Sequence, residues 1–157
     1  MVIFSFLGSG PTHAACTDAA ASGVDWRRCV LDNRDLQEID INGARLRDAS
    51  FVRADLSGSD LSGIDGFRAK FMSAKLADAR FDGARLSEAD LTKADLTGVS
   101  FKGADLRRAR MFRAILRGAD LTDARMKGAD LFEADLSGAI WIDGQKRCAE
   151  GSIGQCN

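Results

Sequence analysis

Small and large apolar residues stand two apart along this chain, and the pair returns every five positions. From Ala44 to Ala139 every fifth residue is Ala except Ser59, Ile64 and Val99. Two places after each stands Leu, Phe, Met or Trp, with Gly66 the only exception. An α-helix brings side chains back after three or four residues and a strand after two, so a period of five belongs to neither. Within one unit, however, residues two apart face the same way on a short extended stretch, so the small and the large residue both point inward. The other three residues must turn the chain, and they have turn chemistry: Ala54 to Gly58 reads ADLSG and Ala94 to Gly98 reads ADLTG. Gly at the last place of a unit suits a type II turn, which needs φ > 0 there.

Stretches this short cannot each bury a core, so successive coils must stack and share one interior column. The pattern predicts a solenoid. The same register extends back through Leu36 and Leu31 to Trp26 and forward to Trp141, twenty-four centres with no insertion. Two departures stand out. Arg34 occupies a slot that should be small and buried, which predicts a distorted first coil. Gly66 replaces a large centre, and Phe67 is expected to swing inward to fill the gap.

On these residues the chain resembles the pentapeptide-repeat family, whose consensus is A(D/N)LXX. The resemblance implies an all-β fold, a right-handed quadrilateral β-helix with four units per coil, and hence about six coils here. The expected organisation is residues 1–15 as a signal peptide, 16–23 as an N-terminal cap, 24–143 as the solenoid and 144–157 as a C-terminal disulfide cap.

The signal reading rests on the apolar run Val2 to Leu7, the break Gly8 to Pro11 and the small residues Ala14 and Ala15 before Cys16. No Lys or Arg precedes the run, so either the true start lies upstream or the segment is an apolar N-terminal cap, which would leave the protein cytoplasmic. The four cysteines lie at the two ends of the regular column. Six stacked coils separate those ends by on the order of 25 Å, beyond disulfide reach, so pairing is expected within each end: Cys16 with Cys29 and Cys148 with Cys156. Such bridges fit an oxidising compartment, periplasmic or secreted. The rival, a two-cysteine zinc site at each end, lacks the four ligands that zinc usually takes.

Chemistry finds little purchase. The sole His is His13, inside the expected signal, which leaves the remainder without the usual general base. Asp55, Asp60, Asp95, Asp120 and Asp135 recur in one outward slot of their units, as solvated turn carboxylates would. The glycines, spaced by five and ten, form no phosphate loop. No catalytic, cofactor-binding or metal residue is assigned, no cofactor is implied, and no stretch is apolar enough for a membrane-spanning helix.

Function must then lie on the four faces. The net charge of −1 offers no overall attraction to nucleic acid, and none is expected as a partner. By face, the charge is uneven. The first (centres Leu36 to Leu136) and the second (Ile41 to Trp141) each set six carboxylates against two cations. The third (Trp26 to Met126) sets ten cations against five carboxylates, and the fourth (Leu31 to Leu131) is close to balance. On the fourth face the residue after each centre reads Val52, Met72, Thr92, Phe112 and Phe132, twenty apart and therefore aligned. With Arg53, Lys70, Arg110 and Arg113 beside them, Val52, Met72, Phe112 and Phe132 form a candidate apolar ridge with a cationic border, for an unidentified protein partner or for self-association. The expected function is a non-enzymatic, exported scaffold that binds through its surface. The family resemblance supplies an alternative, a DNA mimic that binds DNA gyrase or topoisomerase IV and alters quinolone action. A mimic needs a largely anionic surface, and the basic third face departs from one.

Overall fold

The computed structural model describes residues 16–157; the expected signal segment lies outside the described residues. From Asp25↔Arg45 through Asp120↔Ile140, parallel β-bridges join each residue to the one twenty positions further on, once every five residues. Twenty residues therefore make one turn of the solenoid, with four short sides. Each unit contributes three ladder bonds and one corner bond. Around Leu46, for example, Arg45 N donates to Val24 O (2.9 Å), Leu46 N to Asp65 O (2.8 Å) and Asp48 N to Phe67 O (3.0 Å). Ala49 N then closes the corner onto Leu46 O at 3.0 Å.

The corner explains the third residue of the turn. At every corner from Arg28 to Gly138 the residue two after the centre has φ near +60°, and at fourteen of these twenty-three corners it is not glycine. A non-glycine residue in the left-handed region costs about 1–2 kcal/mol. The stacked ladder holds these corners in place by satisfying their backbone on both sides.

The interior is a continuous column. The Ala slots and the large centres are almost completely buried from Ala44 to Leu121, and Phe51, Phe71, Phe81 and Phe101 form a spine with centroids 5.2, 5.8 and 5.3 Å apart in sequence. Alanine lets the corners close tightly. The corner bond lengthens to 3.2 Å at Val99 and 3.4 Å at Ile64.

At Gly66 the outcome differs from the expectation for Phe67. A Cβ at Gly66 would lie 2.9 Å from Leu86 Cδ2 and 3.3 Å from Ile64 Cδ1, so the space is already filled by Ile64, from its own unit, and by Leu86 of the next coil. Large and small have changed places within the unit. Phe67 therefore stays outside, half-buried, with the Arg47 and Arg68 guanidinium carbons 4.9 and 5.9 Å from its ring centroid.

The first coil is distorted only at its corners. Its ladder is intact, Asp55 N donating to Arg34 O at 2.9 Å, but Arg34 N and Ile39 N lack the corner bond made by every other unit. Ser59 enters the second of these corners: Ile39 N donates to its Oγ (3.2 Å), which donates to Leu36 O (2.9 Å). Arg34 escapes burial because, among the described residues, no coil stacks below it. Its exposed side chain borders an end hollow of about 290 Å³ with Cys16, Asp18, Trp26 and Leu36.

Both ends carry sulfur bridges. Cys16 is joined to Cys29 and Cys148 to Cys156, with Cα atoms 5.4 and 4.8 Å apart. The C-terminal segment doubles back as an antiparallel strap, pairing Ile140 with Arg147 and Asp135 with Ile153. It caps the donors of the first and second faces: Leu136 N reaches Ser152 O, Gly138 N reaches Cys148 O and Trp141 N reaches Lys146 O, at 2.7–2.9 Å.

Candidate interaction faces

Because residues twenty apart stack, every outward slot becomes a column, and neighbours in a column lie about 4.8 Å apart. On the first two faces, many carboxylates in the slot before the centre are tied to their own corners. Asp55 Oδ1 accepts from Ser57 N (3.1 Å) and Ser57 Oγ (2.7 Å), and the same pair of bonds recurs at Asp95, Asp120 and Asp135. The Ser57 hydroxyl, outweighing burial, holds Asp55 below the ordinary carboxylate value, and the Arg107 side chain does the same for Asp105. These carboxylates are corner caps as well as surface charge. Among the described residues no group of His, Cys, Asp and Glu is placed to hold a metal ion.

On the third face, summing charge concealed an order. The slot before the centre reads Asp25, Arg45, Asp65, Arg85, Asp105, Arg125, alternating in sign at each coil. The second slot after it reads Arg28, Asp48, Arg68, Glu88 and Arg108. Six of the ten cations are paired, two within their own unit, Arg27 with Asp25 (2.6 Å) and Arg107 with Asp105 (2.6 Å), and four across coils, Arg45 with Asp25 (3.9 Å), Arg47 with Asp65 (3.5 Å), Arg68 with Asp48 (3.4 Å) and Arg108 with Glu88 (3.6 Å), so the face keeps its excess of cations but intersperses the two signs. Arg28, Arg85, Arg125 and Lys127 make no ion pair among the described residues. Lys127 rims a surface hollow of about 430 Å³ with Arg107, Arg108, Glu88, Ser87 and Gly128. Grouping the sequence by twenty would have revealed the alternation; grouping by face total hid it.

The fourth face brings the ridge residues together in two pieces. Phe112 and Phe132 stack with centroids 6.0 Å apart and planes 6° from parallel, and Phe132 is 64 % exposed. Val52 and Met72 are half-buried, and Thr92 interrupts the column between the two pieces. The cationic border is partly neutralised: Arg110 meets Asp90 at 3.3 Å and Arg113 bonds Glu133. Arg113 also lies 5.0 Å from the Phe112 centroid. Arg53 and Lys70 are exposed and make no ion pair among the described residues.

A twenty-residue parallel coil built from A(D/N)LXX units defines the class. The sequence profile described as pentapeptide repeats matches in eight copies, over residues 35–65, 74–113 and 103–138. The chain belongs to the pentapeptide-repeat family, and its fold is that family's right-handed β-helix. Sequence comparison with curated proteins finds no match. Among solved structures, a pentapeptide repeat protein from the cyanobacterium Cyanothece 51142 is 23 % identical, covering 74 % of this chain and 90 % of its own, with a TM-score of 0.48. One from the Arabidopsis thaliana thylakoid lumen is 24 % identical, covering 96 % and 92 %, with a TM-score of 0.44. QnrB1 in a trypsin-treated form, a plasmid-mediated fluoroquinolone resistance protein, is 20 % identical, covering 76 % and 66 %, with a TM-score of 0.36.

Proposed function

We propose that this protein is a non-enzymatic, exported binding scaffold: a quadrilateral rod of about six coils, bridged at both ends, that recognises a protein through its fourth face. The observation that carries the reading is the Phe112–Phe132 stack, two aromatic rings one coil apart held outward beside Arg113. Exposed apolar surface is costly unless something uses it, and rigid aromatic pairs are favoured anchors of protein interfaces. The absence of enzymatic chemistry is supported by the Asp residues' role as corner caps. Export to the periplasm or beyond is supported by both cysteine pairs lying at bonding distance.

The double substitution Phe112→Ser with Phe132→Ser tests the ridge. Neither ring enters the column, so melting should be unchanged, whereas crosslinking to its partner in the native compartment, or self-association, should be lost. Retained binding and an unchanged oligomeric state would refute the ridge. Thiol labelling of protein taken from its own cell tests export, and free thiols at both ends would refute it. The DNA-mimic alternative has a separate discriminator, since gyrase inhibition or quinolone protection in a supercoiling assay would overturn the scaffold reading.

A further inference from the structure

The strap leaves part of the last coil open. Inside the rod, each centre donates its N–H to the coil above, as Leu86 N does to Asp105 O (2.8 Å) and Leu91 N to Arg110 O (2.7 Å). In the last coil Met126 N, Gly128 N, Leu131 N and Glu133 N have no acceptor among the described residues. The strap rejoins just beyond, where Gly154 N donates to Ala134 O at 2.8 Å. The column ends uncovered over the same stretch: Met126, Ala129 and Leu131 are half-buried, whereas the corresponding Leu106, Ala109 and Met111 one coil below are fully buried.

What this edge lacks can be read from an interior copy of it. Residues 125–131, RMKGADL, repeat the pattern of 85–91, RLSEADL. The earlier segment is covered by 105–111, DLRRARM, whose Asp105 stacks on Arg85 and whose Arg110 stacks on Asp90 with an ion pair at 3.3 Å. At the open edge Arg125 and Asp130 stand with those same signs, and among the described residues nothing stacks above them and neither makes an ion pair. The unmet hydrogen bonds, the bare apolar cross-section and the two charges all specify one kind of neighbour.

We propose that residues 125–131 form a strand-addition site for a segment of a partner protein that continues the coil. That segment carries an acidic residue, a large apolar one, two turn residues, a small one, a basic one and a large apolar one. Its carbonyls accept from Met126, Gly128 and Leu131, its acid meets Arg125 and its base meets Asp130. This deepens the scaffold reading, on which it rests, by naming the chemistry of a partner.

The probe is the peptide Asp-Leu-Arg-Gly-Ala-Arg-Met, titrated into the whole isotope-labelled protein and followed by NMR. The amides of Met126, Gly128 and Leu131 should shift and gain exchange protection. The charge-swapped peptide Arg-Leu-Arg-Gly-Ala-Asp-Met should bind roughly tenfold more weakly, because two cross-strand pairs become like-charged. Arg125→Asp with Asp130→Arg should reverse that preference. Equal affinity for the two peptides, or no response at these amides, would overturn the proposal. So would protection of the amides in dilute protein alone, which would show the edge already covered. Shifts that track protein concentration without peptide would assign the edge to a second copy and overturn it too. Partner binding that survives Phe112→Ser/Phe132→Ser but is lost in Arg125→Asp would sink the ridge and leave this site standing.

Discussion

The exchange of sizes at Ile64 and Gly66 can be tested as a coupled pair. Gly66→Leu alone restores the family centre but drives a side chain into space held by Leu86 Cδ2, which is 2.9 Å from where the first carbon must go. Overpacking of this kind costs about 1–3 kcal/mol. Ile64→Ala alone removes three carbons from a fully buried position, which costs about 2–5 kcal/mol once the void is included. It also lets the corner bond from residue 64 to Leu61 O shorten from 3.4 Å towards the 3.0 Å seen at alanine corners. The double substitution rebuilds an ordinary unit, so its net cost should fall below about 1.5 kcal/mol, as for volume-conserving swaps. The coupling between the two sites should thus exceed about 1.5 kcal/mol. Urea denaturation of the four proteins, disulfides intact, measures it, provided that all four unfold in one transition. Additive single costs would refute the packing argument and would mean that another side chain fills the gap.

Further outcomes follow from the corners, the strap and the carboxylates. Lys93→Gly relieves a left-handed residue that makes no ion pair among the described residues and should stabilise by about 0.5–1 kcal/mol; Gly63→Ala, where an added Cβ meets nothing within 4 Å, should destabilise by about 1 kcal/mol through its φ of +64° alone. Chemical denaturation checks both, and a destabilised Lys93→Gly would contradict the strain. Replacing Cys148 and Cys156 by Ala should cost about 2–3 kcal/mol and speed amide exchange at Gly138 and Trp141, whose donors the strap covers, while Phe81 and Phe101 stay protected. Asp55, Asp105 and Asp135 titrate below the ordinary value of 3.8 in the folded protein, so their contribution is complete above that value and is lost as pH falls through the folded ones. Melting temperature should hold between pH 7 and about 4 and drop below it; a rise on acidification from pH 5 to 3 would refute the assignment of these carboxylates as caps.

The inward pair in each unit, the turn after it and the pairing of cysteines by end were legible in the residues, because a strict repeat gives every unit one environment and leaves one arrangement in which all of them bury their apolar side. The four-sided coil came instead from the resemblance to known repeats, since a period of five does not by itself say how many units close a turn. What broke the repeat needed three dimensions. Whether Phe67 or Ile64 fills the place of a missing centre depends on Leu86, twenty residues away and directly above it. Arg34 is harmless only because its slot lies at an end. The ten cations of the third face look like one basic stripe in the sequence, but stacking sets Asp and Arg in alternate coils about 4.8 Å apart, a spacing fixed by the backbone ladder, so the two signs are interspersed. The strap's path is the clearest case. Nothing local to residues 144–157 says that it covers the second and first faces and stops short of the fourth, and that choice leaves Met126, Gly128 and Leu131 with donors facing outward.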